Sequence, residues 1–318
     1  MSIPQHPDSL ASRVGHILSR AWQKYHLQPN RRRQIEQLTE PFVHTTEGGL
    51  RFNIDPAQYI DKIIFVEGIY EKRFLSFMKG LLPENSVILD IGANTGNHAV
   101  YLSRMASRIH CFEPNPEAYD RLVENIALNG IQNVQCHQLG LGNENAMASF
   151  QVNLDGNLGN SGYVSDTAEP PKNTKIIQLP IRRGDEYLEG LRLDTIDFIK
   201  IDVEGLEPLT LEGLQKTIAK HRPVVAFEFH GQHARKDDFP SIRSSLPGYI
   251  FVEICFAPEN DSTAGKLRWW LHHGDTPELQ RIEAPEPRTY ENIIAIPSTD
   301  FLSSRGIELK PPRKPTPA

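Results

Sequence analysis

The stretch Val87-Ile88-Leu89-Asp90-Ile91-Gly92-Ala93-Asn94-Thr95-Gly96-Asn97 constrains this chain more than any other. Val87 to Leu89 and Ile91 make a short apolar run that suits a buried parallel strand. The run ends in an acid and a glycine-bearing turn. Such a turn lets a ligand approach the backbone and the free N–H groups of the next helix. Plain strand-to-helix turns share this glycine spacing, so the acid carries the argument. A dinucleotide fold would bring a pyrophosphate to the place of Asp90, and a carboxylate there repels it. Dinucleotide binders also read G-x-G-x-x-G, with the second glycine clearing space for the pyrophosphate. Here Asn94 fills that position, and asparagine tolerates a left-handed backbone while keeping a side chain.

A cationic nucleoside fits better. S-adenosylmethionine carries an ammonium and a sulfonium and has no phosphate. The next strand, Ile109-His110-Cys111-Phe112, ends in Glu113-Pro114-Asn115-Pro116. Glu113 lies about 20 residues past the glycine turn, the spacing at which a Rossmann-type unit sets a carboxylate on ribose hydroxyls. Pro114 and Pro116 restrict the turn before a helix with Ala118, Leu122 and Ile126 on one face. Strand, acidic glycine loop, helix, strand and acid together predict one βαβ unit with a nucleoside site.

These residues resemble the FkbM-type family of S-adenosylmethionine-dependent methyltransferases. The likeness rests on Asp90 to Gly96, on Phe112-Glu113-Pro114-Asn115 and on Gly159-Asn160-Ser161-Gly162. It continues in Ile199-Lys200-Ile201-Asp202-Val203-Glu204-Gly205 and ends near Glu228-Phe229-His230. It spans roughly residues 60 to 255. It implies a class I, Rossmann-like α/β fold: a seven-stranded, mostly parallel sheet with an antiparallel final strand and helices on both faces. It also places Tyr70-Glu71 close to the cofactor. Arg182-Arg183-Gly184-Asp185 departs from the family's Leu-Asp pair, which puts local substrate-side contacts in question.

The chain has 318 residues, of which 39% are hydrophobic, enough for a sizeable core. The net charge of −6 gives no electrostatic footprint for nucleic acid. Arg31-Arg32-Arg33 reads as a solvated helix face. Cys111, Cys136 and Cys255 fall in apolar runs with no CxxC pair, which suits free thiols in a reducing cytoplasm. No apolar run reaches the roughly 20 residues of a membrane span, and no signal-peptide core is legible. The expected location is cytoplasmic.

Residues 1–60 read as an N-terminal extension. It comprises an amphipathic helix over 9–26, whose stripe suits packing or a homo-oligomeric contact, and a hairpin over 42–54 around Gly48-Gly49. Helices are predicted near 56–66 and 70–80. The methyltransferase domain spans 61–303, with insertions at 144–182 and 256–290. Further strands are predicted at 134–139, 148–152, 174–181, 196–201, 223–229, 249–255 and 293–296. The first insertion carries Asn160 and Ser161, suited to a loop that closes over substrate. The second carries Trp269-Trp270, and His272-His273 lacks a carboxylate at metal-ligand spacing. The tail over 304–318 is Pro- and Lys-rich and reads as disordered.

Ligands of open α/β sheets bind outside the carboxyl ends of the strands. Two such ends carry polar pairs, Asp202 with Glu204 and Glu228 with His230. Read as extended chain, each pair shares a face. His230 or Asp202 is the expected general base for a hydroxyl acceptor, with Glu204 and Glu228 orienting it. No resident metal is assigned, although Asp202, Glu204 and His230 would suit a divalent cation. The donor site is expected to comprise Glu71, Asp90, Gly92, Ala93, Asn94, Gly96, Asn97, Glu113, Leu141 and Asp202, with Leu141 packing on the adenine. The expected reaction is O-methylation of a small-molecule or glycan hydroxyl, on a sugar, glycan or polyketide-type product. The alternatives are an N-methyltransferase, which needs no strict base, and a non-catalytic nucleoside-binding module, which would bind donor without turnover. A nicotinamide oxidoreductase is a further alternative, and Asp90 and Asn94 argue against it.

Overall fold

The computed structural model describes residues 28–153, 162–163, 174–232, 237–255 and 277–311. Helix α1 (Gln28–Ile35) precedes the hairpin β1 (Phe42–Thr45) and β2 (Arg51–Ile54), in which Phe42 lies opposite Ile54. The arginine run lies on α1 as a surface face, with Arg31 3.0 Å from Glu47 and Arg32 3.9 Å from Glu67. The hairpin is packed into the core of the domain. Phe52 and Ile54 belong to the same apolar cluster as Ile88 and Leu122.

Helices α2 (Tyr59–Glu67) and α3 (Lys72–Leu81) lead to β3 (Ser86–Ile91), α4 (Asn97–Leu102), β4 (Ala106–Phe112), α5 (Pro116–Leu128) and β5 (Val134–His137). The start of α5 is set by its sequence. The Asn115 side chain accepts a hydrogen bond from the Glu117 N–H, and Pro116 opens the first turn. That helix also pins the hairpin: Asn125 Oδ1 accepts from the Asn53 N–H at 2.8 Å, and Asn129 Oδ1 from the Arg51 N–H at 2.9 Å.

Next come β6 (Gly140–Gly142), β7 (Ala146–Asn153), β8 (Gly162–Tyr163) and β9 (Thr174–Arg183). They form a separate four-stranded sheet in the order β6-β9-β7-β8. Then come α6 (Gly184–Leu191), β10 (Phe198–Ile201), α7 (Glu207–Gly213), α8 (Gln215–His221), β11 (Val224–His230), α9 (Asp238–Ser245) and β12 (Ile250–Cys255). The last elements are β13 (Glu278–Arg281), β14 (Thr289–Ile296), α10 (Thr299–Ser303) and β15 (Leu309–Lys310).

Among the described residues the main sheet has nine strands, not the predicted seven, in the order β15-β13-β12-β14-β11-β10-β3-β4-β5. Strands β5, β4, β3, β10 and β11 are parallel. Strand β14 runs antiparallel between β11 and β12, as an antiparallel final core strand should. The two extra strands are β13, antiparallel to β12, and β15, parallel to β13. Part of the tail predicted to be disordered is therefore ordered: Leu309 and Lys310 cap an edge whose backbone groups would otherwise lack strand partners. A two-residue strand leaves no period to read.

Apolar residues pack on both faces of the sheet in two clusters, one around Leu75, Met78 and Leu122 and the other around Leu211, Ile218 and Phe251. Chain order reverses at β3, which has β4 on one side and β10 on the other, so a crevice opens at the carboxyl ends of these strands. Asp185, in the motif that departs from the family pattern, caps α8. Its carboxylate accepts from the Lys216 and Thr217 N–H groups at 2.9 and 2.8 Å. Among the described residues no helix is long and apolar enough to cross a membrane. The predicted helix over 9–26, Asn160, Ser161, Trp269-Trp270 and His272-His273 lie outside the described residues.

Candidate active site

The loop after β3 alternates left-handed residues: Gly92 at φ +83°, Asn94 at +48° and Gly96 at +86°. The Gly92 and Ala93 N–H groups both donate to the Phe112 carbonyl, at 2.9 and 3.1 Å, and tie the loop to β4. The glycines serve packing first. A Cβ on Gly92 would lie 1.7 Å from the Asp202 carbonyl oxygen, and one on Gly96 would lie 2.6 Å from Leu122 Cδ1. Gly92 is thus the point where β3 and the end of β10 touch. Gly96 faces α5 and does not line the cleft.

Glu113 is held at the end of β4 by backbone alone. Oε2 accepts from the Asn94 N–H at 2.9 Å and Oε1 from the Asn115 N–H at 2.8 Å. Burial pushes its carboxyl up to about 7, against the pull of those two hydrogen bonds. Each oxygen keeps a lone pair, so the group can still accept from a vicinal diol.

Asp90 departs from expectation. It is 2% exposed, neither oxygen has a hydrogen-bond partner, and it does not line the cleft. Its side chain points under the loop, among Phe74, Leu75, His98 and Lys200. Burial pushes its carboxyl up, opposed by the nearby charges of His98 and Lys200. Asp90 therefore sits beneath the loop and presents no atom to the cleft. Asn97 does line the cleft, but its amide holds the Tyr70 backbone, accepting from the Tyr70 N–H at 3.0 Å and donating to its carbonyl at 3.1 Å.

That latch adjoins Glu71, which sits at φ +52° and lines the cleft. Glu71 Oε2 lies 2.7 Å from His98 Nε2, and Oε1 accepts from the Asn292 amide. Burial opposes ionisation of Glu71, yet the His98 hydrogen bond and the Lys200 charge hold its carboxyl below the usual range. Burial likewise opposes charge on His98, and Glu71 outweighs it, so the imidazole is raised. The two shifts run in opposite directions and both favour the charged pair.

Across the crevice, β10 and β11 bring Asp202, Glu204, Glu228 and His230 to the cleft wall. Lys200, 1% exposed, meets Asp202 Oδ2 at 3.1 Å. Burial would raise the Asp202 carboxyl, but the Lys200 charge and hydrogen bond, with His98, hold it low. Asp202 is thus a weak proton acceptor and does not suit the base role expected of it. Glu228 takes the opposite state: burial and then the Asp202 and Glu204 charges push it up to about 9, and it is hydrogen-bonded to Asp202. His230 Nε2 lies 3.3 Å from Glu228 Oε1, and Nδ1 lies 3.2 Å from Thr289 Oγ1.

Glu204 reaches this group by a route that strand alternation does not describe. Its backbone is left-handed at φ +53°, beyond the end of β10, so the extended-chain pairing with Asp202 fails. The turn nonetheless sets its carboxylate within 4.8 Å of ligand atoms on Glu228 and His230. Its exposed surface lines the cleft, and burial, then the Asp202 and Glu207 charges, push the carboxyl up to about 7.

The cleft has a volume of about 560 Å³. Leu141, Pro114 and Ala118 line one end, and Phe150, Val152, Leu179 and Ile181 of the four-stranded sheet supply an apolar wall. Sequence reasoning missed His98, Asn292 and the role of Lys200. A lone charge in the otherwise apolar strand Phe198-Ile199-Lys200-Ile201 was a usable signal, because lysine is almost never fully buried without a partner. Asn292 gave none, lying 221 residues from Glu71 in the chain.

Comparison with known proteins agrees with this geometry. The model of the methyltransferase FkbM domain matches residues 90–273. Methyltransferase 1 of Beauveria bassiana is 29% identical over 56% of this chain and 74% of its own length. The hexuronic acid methyltransferase AglP of Haloferax volcanii is 27% identical over 63% of this chain and 79% of its own. The 2-O-methyltransferase NoeI of Sinorhizobium fredii is 27% identical over 52% and 73%. With a family match over more than half its length, the chain belongs to the FkbM methyltransferase domain family.

Proposed function

We propose that this protein is an S-adenosylmethionine-dependent O-methyltransferase whose acceptor is a hydroxyl on a sugar, glycan or polyketide-type product. The observation that carries the reading is Glu113, fixed by two backbone N–H groups in a cleft that opens onto Glu204, Glu228 and His230. The residues present fit the donor. Glu113 has acceptor capacity for the ribose diol, and Leu141, Pro114 and Ala118 offer an apolar slot for the base. Glu71 and Asp202, both held ionised, favour a sulfonium and an ammonium. When bound, the donor supplies an electrophilic methyl carbon.

The chain's own part is alignment, exclusion of water and removal of one proton. Asp202 stays paired with Lys200 and keeps negative charge at the cleft floor. Glu228 retains its proton near neutrality and links Asp202 to His230. A hydroxyl at the cleft mouth can give its proton to His230 or to Glu204, whose value near 7 matches the working range of a general base. The relatives that act on a hexuronic acid and at a 2-O position support a sugar-type acceptor.

Calorimetric titration with S-adenosylmethionine, S-adenosylhomocysteine and NAD tests the donor. Micromolar binding of the first two is expected, and binding of NAD alone overturns the reading. An acceptor screen of neutral sugars, uronates and polyketide alcohols with mass detection of a 14 Da gain then tests the acceptor. A gain on amines only would favour N-methylation.

A further inference from the structure

Three side chains at the mouth of the cleft form a set that the methyl-transfer reading uses only one at a time. We propose that Glu204, Glu228 and His230 together bind one divalent cation of the magnesium or manganese class, which in turn binds the acceptor hydroxyl. The proposal rests on the methyltransferase reading and adds to it the means by which the hydroxyl is activated.

Geometry comes first. Each residue offers one ligand atom, and the three atoms lie within 4.8 Å of one another. Bonds of about 2.1 Å to a six-coordinate ion put neighbouring ligands roughly 3.0 Å apart and opposite ones about 4.2 Å apart. The 3.3 Å from Glu228 Oε1 to His230 Nε2 is close to a neighbouring pair. The imidazole is also held as a ligand should be. Thr289 Oγ1 lies 3.2 Å from Nδ1 and leaves Nε2 directed at the carboxylates, the outer contact that orients metal-bound histidines.

Chemistry selects the ion. Two carboxylates and one imidazole, without a thiolate, suit a hard cation, whose binding displaces the proton that Glu228 keeps in the metal-free site. Asp202, which the sequence allowed as a ligand without assigning a metal, is paired through Oδ2 with Lys200, and the converging set is Glu204, Glu228 and His230 instead. Asp202 remains close by as compensating charge, as do Glu71 and Glu291 on the same cleft. Three protein ligands leave positions for water and for the acceptor oxygen, the arrangement of a catalytic rather than a structural metal site. A hydroxyl bound there has a lowered pKa and releases its proton to solvent, leaving an alkoxide on the ion, in place of the direct transfer to His230 or Glu204 that the metal-free site would use.

The test is Mn²⁺ titration of the full chain, freed of metal by chelation and without donor, with electron paramagnetic resonance used to measure free Mn²⁺. One Mn²⁺ per chain is expected, displaced by Mg²⁺. Glu204→Gln, Glu228→Gln and His230→Gln should each weaken it at least about tenfold, with unchanged circular dichroism and unchanged S-adenosylhomocysteine affinity. Absence of stoichiometric Mn²⁺ binding to the wild type overturns the proposal, as does binding that all three variants retain. S-adenosylhomocysteine binding to the chelated protein separates the two readings: if it persists while Mn²⁺ fails to bind, the metal falls and the methyltransferase reading stands.

Discussion

The two halves of the cleft are built differently. The donor half, from Asp90 to Asn115, is a contiguous stretch of chain, and its one cleft-facing acid is held by backbone N–H groups. The acceptor half, which in the proposed function also faces the donor's charged end, draws Glu71, Asp202, Glu204, Glu228, His230 and Asn292 from separate segments, and side chains hold one another there. A backbone-held site changes little when one side chain is replaced elsewhere. A site held by mutual charge has protonation states that depend on every member. The donor half should therefore be rigid and insensitive to its neighbours, and the acceptor half tunable.

The sharpest way to break this contrast is at the residue where the halves touch. Gly92→Ala puts a methyl group into the Asp202 carbonyl at a left-handed backbone position. It should cost at least about 3 kcal/mol in denaturant unfolding and impair both halves together. A stable variant with only donor binding impaired would show that the halves are less coupled than their contact implies. His230→Ala should act on one half only, with turnover falling roughly 100-fold or more and donor affinity within about twofold. Single-turnover rates beside calorimetry check this. Glu113→Ala is its counterpart. Donor affinity should fall roughly 10- to 100-fold through loss of charge-assisted hydrogen bonds, with acceptor affinity unchanged.

The smallest effect probes tuning. The folded value of Glu228, about 9, lies above its ordinary 4.5. Protonated Glu228 therefore favours the folded state fully below pH 4.5, and that contribution is lost as pH rises toward 9. Glutamine mimics the protonated form and can donate to Asp202 in its place. Glu228→Gln should melt like the wild type near pH 4 and higher by a few degrees, about 1 kcal/mol, at pH 8. Equal melting at both values would mean that Glu228 ionises freely and that the acceptor half is not tuned as described.

Much of the donor half was legible because its logic is local. An apolar run, a glycine turn and an acid about 20 residues on specify a βαβ unit whatever surrounds them. The same local reading misplaced Asp90. That the residue ends a strand is visible in sequence, but which face it takes depends on packing against α3 and α4, so it lies beneath the loop beside His98. Alternation also failed at Glu204, because it assumes extended backbone and the chain turns left-handed there. The side chains converge all the same, by another cause. Strands β13 and β15 were illegible for a related reason: short edge strands carry too few residues for a period, and a partner already in place stabilises them.

The sequence by itself determined most element types, the parallel core, the glycine loop and the identity of nearly every acid on the cleft. Apart from Glu71 and the arrangement of the sheet, which the family resemblance implied, these arise from periodicity, turn chemistry and spacing, which act over a few residues. Only the tertiary structure decided which acids are charged. Lys200 pairs with Asp202, and His98 with Glu71, in a cluster assembled from segments that chain order keeps apart. A carboxylate's protonation depends on burial and on charges within a few ångströms, and distances of that kind exist only once the strands have been laid side by side.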